Sequence, residues 1–186
     1  IYAGEATAFK GFTVRSLQTV YGPEDGAIEH NPDDGNMDAY RSTAWLADAI
    51  VEARFSNPYA TSEGRWSPGF LLRRSESNAF HVIGISSSGY WYHYVGTGPM
   101  ESRKQMQYMF SKHIATSPSG SNSLRIIALG DEGWFFINGA YVAELDLSGW
   151  ALQGRISAMA NYFSGDDVAG KSTEFDGFVV WSVGTE

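Results

Sequence analysis

The chain has 186 residues, a net charge of −8 and no cysteine, which suits one domain burying its own core and excludes a disulfide scaffold or a thiolate metal site. An anionic balance argues against binding nucleic-acid phosphates, and no apolar run approaches the roughly 18 residues of a membrane helix. Aromatic residues make up 15% and charged residues 18% of a Gly-rich chain, the profile of a β-sandwich or barrel.

The opening residues, IYAGEATAFKGF, lack the basic and apolar regions of a signal peptide, so any export signal is expected to have been removed. Up to Tyr40 the texture is loop-like: only Phe12–Val14 and Leu17–Tyr21 look like strands, and Tyr21–Gly26 and His30–Gly35 are turn clusters rich in Gly, Pro, Asp and Asn. We read one β-sandwich domain over 1–186, with 1–44 as a loop-rich extension that supplies an edge strand and a lid-like loop, and 45–184 as the sandwich. From Ala49 to Phe55 apolar Ala49, Val51, Ala53 and Phe55 alternate with Ile50, Glu52 and Arg54, which predicts a strand. Strands at Gly69–Arg74, Ala79–Ser86 and Tyr90–Val95 follow at short spacing. Met100–Lys112 fits either a helical turn or an exposed strand. Leu124–Leu129 and Trp134–Ile137 flank the Gly130–Gly133 turn, and Asn138-Gly139, both tolerant of positive φ, predicts a two-residue hairpin into Tyr141–Leu145. Gly154–Tyr162 and Glu174–Val183 close an all-β, two-sheet antiparallel sandwich.

Five segments in order, GFLLRR (Gly69–Arg74), AFHVIGISSSGYWYHYV (Ala79–Val95), NSLRIIALGDEGWFFINGAYVAELDLSG (Asn122–Gly149), GRISA (Gly154–Ala158) and EFDGFVVWSV (Glu174–Val183), resemble the laminin-G-like, concanavalin A-like jelly-roll domains of bacterial extracellular proteins. Leu72 stands where such domains usually have Phe, and Gly177 where they have a second Asp. The resemblance covers about Ala47 to Val183 and implies an extracellular or cell-envelope location. Its members include glycan binders, protein binders and glycosidases, so it implies no single activity.

A glycosidase of this architecture would carry Glu-x-Asp-x-x-Glu on its catalytic strand. Glu144 and Asp146 match the first two carboxylates, but Gly149 replaces the third, so the pair that must flank a glycosidic bond is incomplete. His30, His81, His93 and His113 form no ligand or triad spacing, and no Gly-x-Ser-x-Gly elbow occurs. For Ca²⁺, the loop carrying Asp33, Asp34, Asn36 and Asp38 offers clustered oxygens, with Asp166 and Asp167 as a lesser set. Turns use the same residues, and no cofactor is required by any motif.

Aromatic rows remain. Alternation sends Trp91 and His93 to one face, Tyr90, Tyr92 and Tyr94 to the other, and separates Trp134 and Phe136 from Phe135 and Ile137. Sugar rings stack on such side chains, so Trp91, His93, Trp134 and Phe136, with Arg73, Arg74 and Asn161 for the hydroxyls, are the candidate ligand-binding residues. The competing reading makes these aromatics core, covered by 1–40 and 100–118. The expected function is non-catalytic recognition of a glycan; the alternative is a structural or adhesive subunit using the same aromatics against protein, as an oligomer if so, and a glycosidase is third.

Overall fold

The computed structural model describes residues 15–31, 37–77, 79–97, 104–149, 152–163, 166 and 168–184. These form twelve strands and, among the described residues, no helix: β1 (Leu17–Glu29), β2 (Met37–Leu46), β3 (Ala49–Ser56), β4 (Ser67–Arg74), β5 (Ala79–Ile85), β6 (Tyr90–Thr97), β7 (Lys104–Phe110), β8 (Ser121–Leu129), β9 (Glu132–Ile137), β10 (Ala140–Asp146), β11 (Gly154–Asn161) and β12 (Ser172–Val183). All pair antiparallel in two six-stranded sheets, ordered β1-β12-β3-β8-β9-β10 and β2-β11-β4-β5-β6-β7.

Alternation places the core as expected. Val51, Phe55, Leu124, Ile126, Phe135, Ile137, Phe178 and Val180 of the first sheet meet Phe70, Leu72, Ile83, Ile85, Ala158 and Ala160 of the second. Asn138 and Gly139 have φ of 52° and 80°, the left-handed pair that the predicted hairpin turn requires. The ambiguous stretch after Thr97 is strand β7 over its described part, because β6 presents a free edge that a helix would leave unpaired.

The N-terminal extension supplies an edge strand to each sheet, residues 17–29 and 37–46, more strand than its composition suggests. The turn-like Tyr21–Gly26 stays extended because β12 offers hydrogen bonds, and register shifts after Thr19, Tyr21 and Glu24 absorb Pro23 and the glycines. Gly22 has φ 73°, and a Cβ there would run into the Phe178 carbonyl. The predicted strand at Phe12–Val14 lies outside the described residues.

The two long sides of the sandwich differ. At one, Tyr21 of β1 and Tyr40 of β2 both donate to Glu24 Oε2, at 2.6 and 2.7 Å, and Ser42 Oγ donates to the Ile156 carbonyl at 2.6 Å. At the other, β7 and β10 are the free edges, tied where Gln107 Nε2 donates to the Glu144 carbonyl at 3.1 Å. That side stays open.

Candidate functional site

Between these free edges lies a cleft of 470 Å³. Trp91 from β6 forms its floor; it is only 2% exposed and packs on Phe135 with ring centroids 5.9 Å apart. Phe110 and Tyr141, 65% and 56% exposed, stand at the two edges. Lys112, His113 and Glu144 supply polar groups around them. Tyr141 is buttressed edge-on by Phe136, 5.7 Å away.

The cleft wall after β7 is held by asparagines. Asn122, fully buried, accepts from the Ala115 N–H at 2.8 Å and donates to the Ala115 carbonyl at 2.9 Å. Asn57 donates to the carbonyls of Ala115 and Ser117, and Asn138 to that of His113, at 2.9, 2.6 and 2.7 Å. A loop whose carbonyls are met by rigidly placed amides is a preorganised wall.

The structure disperses the ligand-binding residues expected from the sequence. Trp91 and His93 face the interior, and the His93 Nε2 contacts His81 Nδ1 at 3.1 Å. Trp134 and Phe136 lie part-buried on the outer face of the first sheet, cross-strand from Ile127 and Arg125. Arg73, 2% exposed with φ 54°, turns into the end of the sandwich and donates to the carbonyls of Ala47, Gly130 and Leu147 at 3.0, 2.6 and 3.4 Å. Asn161 faces outward from the second sheet, donating to Tyr92 Oη at 2.8 Å, while Ser67 Oγ meets the same hydroxyl at 2.6 Å. Gly84 makes room for that ring, since a Cβ there would sit 2.6 Å from the tyrosine oxygen. No single platform results. The centre of the tyrosine-bearing face is also buried, with Leu71, Val82, Tyr92 and Met159 at most 5% exposed.

Of these expected residues, Trp91 reaches the cleft as floor and Phe136 supports Tyr141 from behind. Phe110, Tyr141, Lys112 and His113 were not legible as site residues: the Met100–Lys112 stretch has no clear period, and the meeting of β7 with β10 joins segments far apart in sequence.

The electrostatics bear on catalysis. Glu144 and Asp146 project from β10 into solvent, while Leu145 between them is core. Asp146 accepts from Ser148 Oγ at 2.6 Å and Ser148 N at 3.0 Å, which holds its carboxyl below the usual range. Glu24, Glu63 and Asp166 are likewise shifted down, by hydrogen bonds from Tyr21 and Tyr40, from Lys171, and from the Arg65 backbone and side chain. Gly149, at the position of the missing third carboxylate, has φ 80°.

Of the expected Ca²⁺ ligands, Asp33, Asp34 and Asn36 lie outside the described residues, as does Asp167. Asp38 Oδ2 accepts from Tyr162 Oη at 2.7 Å. Among the described residues no three acidic or imidazole groups gather as a metal site.

No protein-family model matches the sequence, and no curated protein matches it. Among solved structures the chain is similar to the carbohydrate binding module CBM66 from Bacillus subtilis, with TM-score 0.62 and 11% identity over 89% of this chain and 95% of that one. It is also similar to the endo-β-1,3-glucanase from Pyrococcus furiosus, with TM-score 0.56 and 14% identity over 86% and 75%. A third likeness is to the fructosyltransferase from A. japonicus, with TM-score 0.58 and 11% identity over 92% of this chain and 27% of that one. The chain therefore has the concanavalin A-like jelly-roll fold. Binding modules and enzymes share it, so activity must be argued from the residues.

Proposed function

We propose that this chain is a non-catalytic recognition module for glycans in an extracellular or cell-envelope setting, and that the β7–β10 cleft is its binding site. The observation that carries the reading is the pair of exposed rings, Phe110 and Tyr141, bordering a cleft floored by Trp91 and supplied with Lys112, His113 and Glu144. A sugar ring stacks on an aromatic face while its hydroxyls take charged and polar partners, so this composition suits saccharide chemistry. The missing third carboxylate, with Gly149 in its place, supports a binding rather than a hydrolytic role.

Affinity electrophoresis in gels containing neutral polysaccharides tests this. The wild-type protein should be retarded by at least one, and Tyr141→Ala and Phe110→Ala should each lose that retardation while melting normally. Wild-type mobility unchanged across β-glucans, fructans and galactans would overturn the reading.

A second reading has one observation behind it. β7 is an edge strand exposing Tyr108, Met109 and Phe110 at 43%, 58% and 65%, the kind of edge that adds a further strand. If the chain serves as an adhesive subunit, Phe110→Ala lowers the mass seen by light scattering and changes no glycan mobility. The Ca²⁺ proposal for Asp38 and its neighbouring loop is read by chelation: a bound ion predicts a lower melting temperature in chelator, and unchanged melting with no metal by elemental analysis retires it.

A further inference from the structure

On the opposite half of the second sheet, away from the β7–β10 cleft, β2, β11 and β4 bring Trp45, Arg155 and Arg74 into one cross-strand row. Arg41 follows, opposite Ser157 in the next paired row. The placement follows from the chain. Ala44 and Ile156 are core residues, so their neighbours Trp45 and Arg155 turn to the outer face. On β4, an extra residue between Leu71 and Arg74 makes a bulge in which left-handed Arg73 turns into the end of the sandwich, and Arg74 comes opposite Arg155. The indole of Trp45 is 42% exposed, Arg41 is exposed, and Arg74 and Arg155 are partly so.

Like charges on neighbouring strands repel, and cross-strand pairing of the same sign is destabilising. Burial first, and then the like charges of Arg41 and Arg155, push the Arg74 guanidinium below the usual arginine range. Among the described residues, neither Arg41 nor Arg155 makes an ion pair, although the chain carries 21 acidic residues against 13 basic ones. An acidic protein that assembles guanidinium groups on one face beside an exposed indole has a local charge opposite to its net charge. Guanidinium forks match sulfate and carboxylate oxygens, and an indole takes the apolar face of a sugar ring.

We propose that Trp45, Arg41, Arg74 and Arg155 form a second binding site, for an acidic polysaccharide whose sugar ring stacks on Trp45 and whose sulfate or carboxylate group is taken by the arginines. The site shares with the β7–β10 cleft the premise that the ligand is a glycan, but not its location or its residues.

Affinity electrophoresis of the full chain tests it, in gels containing a sulfated polysaccharide, a polyuronate, a neutral polysaccharide or inorganic polyphosphate. The expected result is retardation by the sulfated polysaccharide, the polyuronate or both, weakened by added salt. Which of the two retards it identifies the anionic group. Arg41→Gln and Trp45→Ala should each lower the affinity by about tenfold or more, the loss of one good contact. Both side chains lie on an edge strand, so both variants should keep the wild-type melting temperature and any neutral-polysaccharide retardation due to the cleft. Retention of acidic polysaccharide by both variants would overturn the site. So would polyphosphate retardation that equals that by acidic polysaccharide and survives Trp45→Ala, because a bare polyanion effect needs no indole. Neutral retardation without acidic retardation would remove this site and leave the cleft, whereas acidic retardation lost in Trp45→Ala without neutral retardation would do the reverse.

Discussion

His81 Nδ1 and His93 Nε2 meet at 3.1 Å inside the sandwich, both rings having no exposed surface. One nitrogen must donate and the other accept, so the contact requires that the two imidazoles are not both charged. His81 Nε2 is buried beyond them without a partner among the described residues, and the Gln107 side chain lies against His93. Burial is the main cause holding both rings neutral, with His81 pushed down to about 3 and His93 to about 4. For His81 the neighbouring imidazole adds to the effect, and for His93 the Asp146 charge and a hydrogen bond with Gln107 oppose it.

A pH dependence follows. The folded values lie below the roughly 6.5 of an unfolded histidine, so between these limits the unfolded chain binds more protons, and stability falls as pH falls. The full contribution of the pair is present above about pH 6.5 and is lost on acidification through the folded values, about 4 for His93 and about 3 for His81. Melting temperature should drop across that window. In the double variant His81→Leu/His93→Leu the slope should flatten, leaving a remainder from buried His30, whose value burial also lowers. An unchanged slope in the double variant would refute the assignment.

Trp91 and Tyr141 separate stability from binding. Trp91→Ala empties a core site against Phe135 and should cost about 3–5 kcal/mol in denaturant unfolding. Tyr141→Ala removes an exposed ring and should stay within about 0.5 kcal/mol of wild type. Equal losses in the two variants would mean that the cleft floor is not core.

Arg73 joins the β2–β3 turn, the β8–β9 turn and the segment after β10 through three carbonyls. Arg73→Met keeps much of the side-chain volume and leaves those acceptors unmet, for an expected loss of about 2–4 kcal/mol. Arg73→Lys should recover less than half of it, because an ammonium cannot span the fork. Near-wild-type melting of Arg73→Met would show that water replaces the guanidinium at little cost.

Asn122 satisfies both backbone groups of Ala115. Asn122→Leu should destabilise the fold by about 2–4 kcal/mol. Hydrogen exchange at the Ala115 amide should accelerate beyond that global change, because the loop opens locally. Exchange that rises only with global unfolding would contradict a separately pinned loop.

Much of this fold is legible in the chain. Period-two alternation in Ala49–Phe55, Leu124–Leu129 and Trp134–Ile137 fixes which residues turn inward, and Asn138-Gly139 fixes a hairpin, because both signals depend only on neighbouring residues. The edge role of β1 is legible only in Leu17–Tyr21: Tyr21–Gly26 has turn composition, and only the free edge of β12 gives its backbone partners. The site is less legible still. Trp91 and Trp134 look alike as strand aromatics, yet one floors a cleft in the core and the other lies on an outer face, a difference set by which sheet covers which side.

The sequence by itself determined a cysteine-free, all-β sandwich and the inward or outward alternation of most strands, since strand pleat and turn geometry are local properties. Tertiary structure decided where strands distant in sequence meet, and so whether an aromatic is floor, wall or core. It made a cleft of Phe110 and Tyr141 and set Trp45 beside the arginines. These arrangements depend on the stacking of two sheets and on register across β2, β11 and β4, which no local pattern encodes.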